Sequence, residues 1–251
     1  MKRKNILILH GWMHSAARYL PLKNALEEHE TVCYEFPGFG DSSPVFKRRI
    51  LDCYAKELAL YLKTHKTDLI IAHSMGGAVL LRALKRYLPD RGYTVILLNP
   101  VYGGVPKLLP AVLFLPAVWA GLWGLRLLPF TVSRFICRIF SLVTINHWKD
   151  IDDLISTDAR KADPYTAAFL LAEMALDHFR MERSKSRFWL ITGKKDRILS
   201  RRSLKRLRYD LGGCRWIEYP QSGHTPIVEA FDRLSDDVRR VLAGMDKQVR
   251  T

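Results

Sequence analysis

Apolar residues occur along this chain in two rhythms. Short stretches of strand length and strand character lie at Ile6–Leu9, Thr31–Phe36, Leu69–Ala72, Tyr93–Leu98, Arg187–Thr192 and Arg215–Tyr219. Between them the apolar positions recur at helical spacing. Leu20, Leu22, Ala25 and Leu26 predict a helix over Ala16–Glu28, and Leu51, Tyr54, Leu58 and Leu62 predict one over Ile50–Lys63. Further helices are expected from Gly76 to about Tyr87, over Leu199–Leu211 and over Val228–Leu242. Strands alternating with helices predict a mostly parallel sheet with helices on both faces.

The rhythm changes between residues 101 and 185, where no stretch reads as a strand. Leu108 to Leu125 is free of charge and is interrupted by Pro110, Pro116, Gly121 and Gly124. Its length is at the low limit of a membrane span, about 18 residues, but the prolines and glycines and its place between sheet strands argue against spanning. Helical pieces follow at about 131–142 and 147–156. Asp163-Pro164 has the form of an N-cap with proline at the first helical position, opening a helix to about Arg180. The expected organisation is therefore a core of residues 1–100 and 186–251 with a helical, hydrophobic cap at 101–185.

The chain has 251 residues, enough for one large domain, and 48% of them are hydrophobic, ordinary for a globular protein. Its four cysteines (Cys33, Cys53, Cys137 and Cys214) are scattered, with no zinc spacing and no disulfide framework, which fits a reducing, cytoplasmic setting. Met1-Lys2-Arg3-Lys4 before Ile6–Leu9 has the look of a signal peptide, but the apolar run is short and no small-residue cleavage site follows. No motif calls for a cofactor or a metal.

The net charge of +15 changes the picture of partners rather than of fold. Acidic partners are nucleic acid, anionic lipid and acidic carrier proteins; with no nucleic-acid-binding signature present, nucleic acid ranks last. The charge concentrates at Lys194, Lys195, Arg197, Arg201, Arg202, Lys205, Arg206 and Arg208. From Lys194 to Arg208 the only acid is Asp196. Such a run is commonly a solvated helix face, yet a solvated face ordinarily mixes signs. We read it as a docking surface for an acidic carrier protein or an anionic membrane surface, the latter making the protein peripheral to the membrane.

The candidate chemistry centres on Ala72-His73-Ser74-Met75-Gly76-Gly77, placed between an apolar strand and an apolar helix. A serine on so tight a strand-to-helix turn needs small residues two positions before and after it, here Ala72 and Gly76. By itself the pattern fits a glycine-rich turn equally well. Serine becomes a nucleophile only with a base, and the base needs a carboxylate to fix its tautomer. In an open parallel sheet functional groups gather beyond the carboxyl ends of the strands, and Ser74, Asp196 and His224 each stand just past such an end. His14 and His73 are alternative bases, and Asp150, Asp152 and Asp153 in the insertion are rival carboxylates.

With the chain order Ser, Asp, His, the sequence resembles the α/β-hydrolases of the cap-bearing serine esterase type. The resemblance rests on His10-Gly11-Trp12, Pro37-Gly38-Phe39-Gly40-Asp41-Ser42, the Ser74 turn, Gly193-Lys194-Lys195-Asp196 and Ser222-Gly223-His224, and covers everything outside 101–185. It implies an α/β-hydrolase fold and a catalytic triad of Ser74, His224 and Asp196. It also implies an oxyanion hole from the backbone N–H groups of Trp12 and Met75. Trp12, Trp119 and Trp123 are the expected substrate contacts. The implied reaction is hydrolysis of a medium-to-long acyl ester or thioester through an acyl-enzyme, without a cofactor. The nearest functional resemblance is to esterases that demethylate an acyl-carrier-bound pimeloyl ester. Lysophospholipases and monoacylglycerol lipases come next. Carbon–carbon bond hydrolases, cofactor-free perhydrolases and a non-catalytic receptor on the same scaffold remain open alternatives.

Overall fold

The computed structural model describes residues 2–44, 48–135 and 152–248. Among the described residues six strands form a single parallel sheet in the order β2-β1-β3-β4-β5-β6. They are β1 (Asn5–Leu9), β2 (Glu30–Tyr34), β3 (Leu69–His73), β4 (Thr94–Leu98), β5 (Arg187–Gly193) and β6 (Arg215–Tyr219). Neighbours are in parallel register throughout, for example Leu7 opposite Ile70, Ala72 opposite Leu97 and Ile96 opposite Trp189.

The period-two geometry of a strand divides these apolar runs between two cores. Leu7, Leu9, Ile70, Ala72, Val95 and Leu97 face one side, against α2 (Ile50–Thr64) and α3 (Met75–Tyr87). Ile6, Ile8, Leu69, Ile71, Ile96 and Leu98 face the other. There they meet Leu22 of α1 (Leu20–Asn24) and Leu234, Val238 and Val241 of the closing helix. A strand with a core on each side has no polar face, which is why the runs are continuously apolar.

Between β4 and β5 lie α4 (Leu109–Leu113), α5 (Leu115–Leu127), α6 (Asp152–Lys161) and α7 (Pro164–Ala175). Residues 130–135 are helical, and the rest of the helix expected at 131–142 lies outside the described residues, as does the start of the one at 147–156. Asp163 caps α7 as its sequence predicts, accepting from the Thr166 N–H at 2.7 Å. After β5 come α8 (Arg201–Asp210), α9 (Pro226–Glu229) and α10 (Phe231–Gln248).

Two expected helices are split. Ala16–Glu28 becomes a 3₁₀ turn at Ala16–Tyr19 followed by α1, because Pro21 has no N–H to bond back into the preceding turn. The expected Val228–Leu242 helix becomes α9 and α10, separated at Ala230, whose φ of −148° is not helical. The short α9 places Glu229 under the His224 loop.

Candidate active site

Ser74 follows β3 and precedes α3, and its backbone is forced to φ 50°, ψ −112°. A non-glycine residue held there stores on the order of 1–3 kcal/mol, so its surroundings must over-determine it. The Ser74 N–H donates to the Leu98 carbonyl at 2.9 Å, and its own carbonyl accepts from Gly77 and Val101, both at 3.1 Å. A Cβ on Gly76 would stand 2.8 Å from the carbonyl oxygens of Leu9 and His10, and one on Gly77 2.7 Å from Pro100 Cβ. Both glycines are therefore required by close approach of the first turn of α3 to its neighbours.

His224 lies in the loop after β6 and reaches both partners. Its Nε2 is 2.9 Å from Ser74 Oγ and its Nδ1 is 2.8 Å from Asp196 Oδ2. With Nδ1–H donating to the carboxylate, Nε2 is left to accept the Ser74 proton. The other carboxylate oxygen of Asp196 accepts from the N–H groups of Ile198 at 2.7 Å and Leu199 at 3.0 Å. Burial pushes this carboxyl up, but the His224 charge and hydrogen bond and the two N–H donors outweigh it and hold Asp196 below its ordinary value. The carboxylate partner of His224 is thus Asp196 rather than an acid of the insertion; Asp150 lies outside the described residues.

The Gly11-Trp12 loop runs against the serine: a Cβ on Gly11 would come 3.3 Å from Ser74 Cβ and 2.8 Å from His73 Nδ1. Met75 is the first residue of α3, so its N–H has no acceptor within the helix. The dipole of α3 favours negative charge at that end. The Trp12 indole N–H donates to the Ala167 carbonyl of α7 at 2.8 Å, tying this loop to the β4–β5 connection.

A buried polar relay lies beneath these loops. His73 donates from Nε2 to the His224 carbonyl at 2.9 Å, so its Nδ1 accepts from the Tyr19 hydroxyl at 2.8 Å. That hydroxyl in turn accepts from the Gly11 N–H at 3.2 Å and from His14 Nδ1 at 3.0 Å. Desolvation dominates at His10, His14 and His73: His10 is lowered to about 4 and His73 to about 3, and His14 well below its usual value. His73 and His14 are therefore neutral members of the framework, turned away from the role of base that the sequence left open to them.

Asn99 and Glu229 are site residues that sequence reasoning missed. The Asn99 side-chain amide donates to the carbonyls of Gly223 and His224 at 2.8 and 2.9 Å and accepts from the Gly193 N–H at 3.0 Å. It thus links the loops that carry Asp196 and His224. Its φ of 38° is a conformation asparagine tolerates better than most residues, and Asn-Pro at a strand end was the one signal available. Glu229 accepts from the N–H groups of Gly223 at 2.7 Å and Thr225 at 3.1 Å.

The remaining expected residues lie at the surface. Trp119 and Trp123 stand on the outward face of α5, 45% and 43% exposed. The side of α5 that meets the core carries Leu115, Val118, Leu122 and Leu125. Lys194, Lys195, Arg197, Arg202 and Lys205 are exposed. Arg201 pairs with Glu218 at 3.0 Å and Arg206 with Asp210 at 2.9 Å, so part of the cationic run is neutralised by acids from outside it. Among the described residues no group of histidine, cysteine and acidic side chains is placed to hold a metal, and no helix is long and apolar enough to cross a membrane.

A serine on a strained strand-to-helix turn, bonded to a histidine and through it to an aspartate at three carboxyl edges of one parallel sheet, defines a class of doubly wound proteins built for nucleophilic chemistry. Residues 6–237 match the model of the alpha/beta hydrolase family, and the chain belongs to that family. It is similar to a pimeloyl-[acyl-carrier protein] methyl ester esterase of Shewanella woodyi, 31% identical over 100 residues, or 39% of this chain and 38% of that protein. The matched stretch thus spans under two fifths of the relative. Similar solved structures include a thermophilic esterase from Thermogutta terrifontis (TM-score 0.77, 17% identity, 96% of this chain and 90% of the other). A bromoperoxidase from Bacillus anthracis is comparable (TM-score 0.78, 16% identity, 96% and 92%). At these identities the structures share the fold.

Proposed function

We propose that the protein is a serine hydrolase that cleaves a carboxylic ester or thioester of a medium-to-long acyl chain through an acyl-enzyme. The observation that carries this reading is the unbroken line from Ser74 Oγ through His224 to Asp196. Ser74 attacks the carbonyl carbon as its proton passes to His224 Nε2. Asp196 holds the ring in the required tautomer and stabilises the imidazolium that forms. The N–H groups of Trp12 and Met75 receive the oxyanion, and His224 then protonates the leaving group. Water repeats the sequence on the acyl-enzyme. The partial match to an acyl-carrier methyl ester esterase supports an acyl ester substrate. The inner face of α5 supports an apolar acyl site under a helical cap, as Leu115, Val118 and Leu125 pack on the same core as Trp12.

The experiment is labelling with a fluorophosphonate probe, followed by kinetics on p-nitrophenyl esters of increasing length. Ser74 should be the modified residue. Ser74→Ala, His224→Ala and Asp196→Asn should each lower kcat by roughly 10³-fold or more, non-additively in combination. Near-normal hydrolysis by Ser74→Ala, or an inert Ser74 in folded protein, would remove the hydrolase reading and leave a ligand receptor on this scaffold.

A further inference from the structure

Helix α5 breaks the usual rule for a surface helix. Such a helix presents charge outward and apolar residues inward. Here the inward face is Leu115, Val118, Leu122 and Leu125, and the outward face is also apolar, with Trp119, Trp123 and Leu127 exposed and Arg126 as its one charge. Leu113 and Leu127 are 81% and 80% exposed, and Phe114 is 66% exposed. Nine of the fifteen large apolar side chains exposed among the described residues fall within 109–135. A concentration of this kind marks an interaction surface.

The charge around it says what covers it. No aspartate or glutamate occurs between Asp90 and Asp150, while Lys107, Arg126 and Arg134 lie within that stretch. Arg126 sits over the Trp123 ring at 5.5 Å. Lys107, just before α4, donates to the Arg197 carbonyl at 2.6 Å, so the exposed cations that begin at Lys194 adjoin the apolar helices. A second copy of the chain docked through α4 and α5 would find no acid on those helices to pair with Lys107 and Arg126. An anionic bilayer satisfies both features, because apolar side chains enter the acyl boundary and cations meet the headgroups.

We infer that the outward face of α4 and α5 is a docking surface for an anionic lipid bilayer. Helix α5, roughly 20 Å long at 1.5 Å per residue, lies in the plane of the interface. Trp119 and Trp123 sit at headgroup level, where such amphipathic rings collect. The inner face of the same helix and Trp12 pack against the same hydrophobic core, so the docking face and the loop beside Ser74 rest on one body of apolar side chains. This deepens the proposed hydrolase by naming the source of its substrate, but binding itself does not require catalysis.

The test is co-sedimentation of the full chain with vesicles of neutral phosphatidylcholine, alone or with about one third phosphatidylglycerol. The wild-type protein should partition onto the anionic vesicles, less at high salt because surface charge is then screened, and weakly onto neutral ones. Leu113→Ser/Phe114→Ser/Leu127→Ser, all at exposed positions, should lose at least tenfold in partitioning while hydrolysing a small p-nitrophenyl ester normally. Tryptophan quenching of the wild-type protein by brominated lipid gives a readout that does not depend on the variant folding. Equal sedimentation of variant and wild type, or no quenching, would overturn the proposal. So would self-association, or capture of an acidic acyl carrier protein, that the triple variant abolishes without any vesicle binding. Vesicle binding with an inert Ser74 would instead overturn only the hydrolase reading.

Discussion

At the scale of single residues, Tyr19 is the most informative side chain outside the Ser74 line. One hydroxyl joins the Gly11 loop to His73, and His73 joins it to the backbone of His224. Its three hydrogen bonds use its single proton and both lone pairs. Tyr19→Phe leaves Gly11 N–H and two imidazole nitrogens without their partner in a fully buried place. Each orphaned group costs about 1–3 kcal/mol, with relaxation recovering part of it. The variant should melt several degrees lower, at roughly 2–4 °C per kcal/mol for a chain of this size. If Tyr19 also positions the Gly11-Trp12 loop, our proposed source of an oxyanion donor, against His224, kcat per probe-titrated site should fall about tenfold with KM nearly unchanged. An unchanged kcat per active site would leave Tyr19 a packing residue.

Among elements, the β4–β5 connection is joined to the sheet core by polar contacts that no local pattern announces. Helix α2 begins at Ile50 with no side-chain cap from Arg49. The N–H groups of Ile50 and Leu51 instead donate to the Glu173 carboxylate of α7, at 2.7 and 2.9 Å. Helix α6 is held by Asp158, which accepts from Ser15 Oγ at 2.5 Å and from Arg18 Nε at 2.9 Å, with both charged side chains buried. Removing one member of such a pair strands the other charge, at about 3–5 kcal/mol. Asp158→Asn should therefore lower the melting temperature by roughly 6–20 °C. Replacing the pair together, Arg18→Met with Asp158→Leu, should recover most of that loss, since a buried pair gains little over apolar packing of similar volume. A double variant no more stable than Asp158→Asn would show that the ion pair itself holds α6 in place.

For the whole molecule, buried imidazoles set the response to acid. His10 and His73 have folded values of about 4 and 3, and His14 is also well below 6.5. The unfolded chain takes up these protons near pH 6.5, whereas the folded chain resists them, so stability is full above pH 6.5 and falls as the pH drops toward 4. Glu35 acts with the opposite sign. Burial raises it to about 7, so its contribution is present below pH 4.5 and is lost as the pH rises through 7. Glu173, also raised by burial, acts in the same direction as Glu35, but three histidines outweigh two partly buried carboxyls. The melting temperature by calorimetry should fall several degrees between pH 7 and pH 5; a constant or rising value would mean that Glu35 or the chain's large positive charge dominates.

Much of this architecture was legible along the chain because it is local. Apolar runs of strand length, helical spacing, the small residues around Ser74 and the Asp163 cap depend on neighbours within a few positions. They placed the parallel sheet and put Ser74, Asp196 and His224 at its edge. What the tertiary structure alone decided depends on residues far apart in sequence. Asn99 binds residues 94, 124 and 125 positions away, and Glu173 caps a helix from 122 and 123 positions away. The outward direction of Trp119 and Trp123 was hidden for a different reason. A helix apolar on every side has no pattern to orient it, and only its packing through Leu115, Val118, Leu122 and Leu125 determined which face met the core and which was left outside.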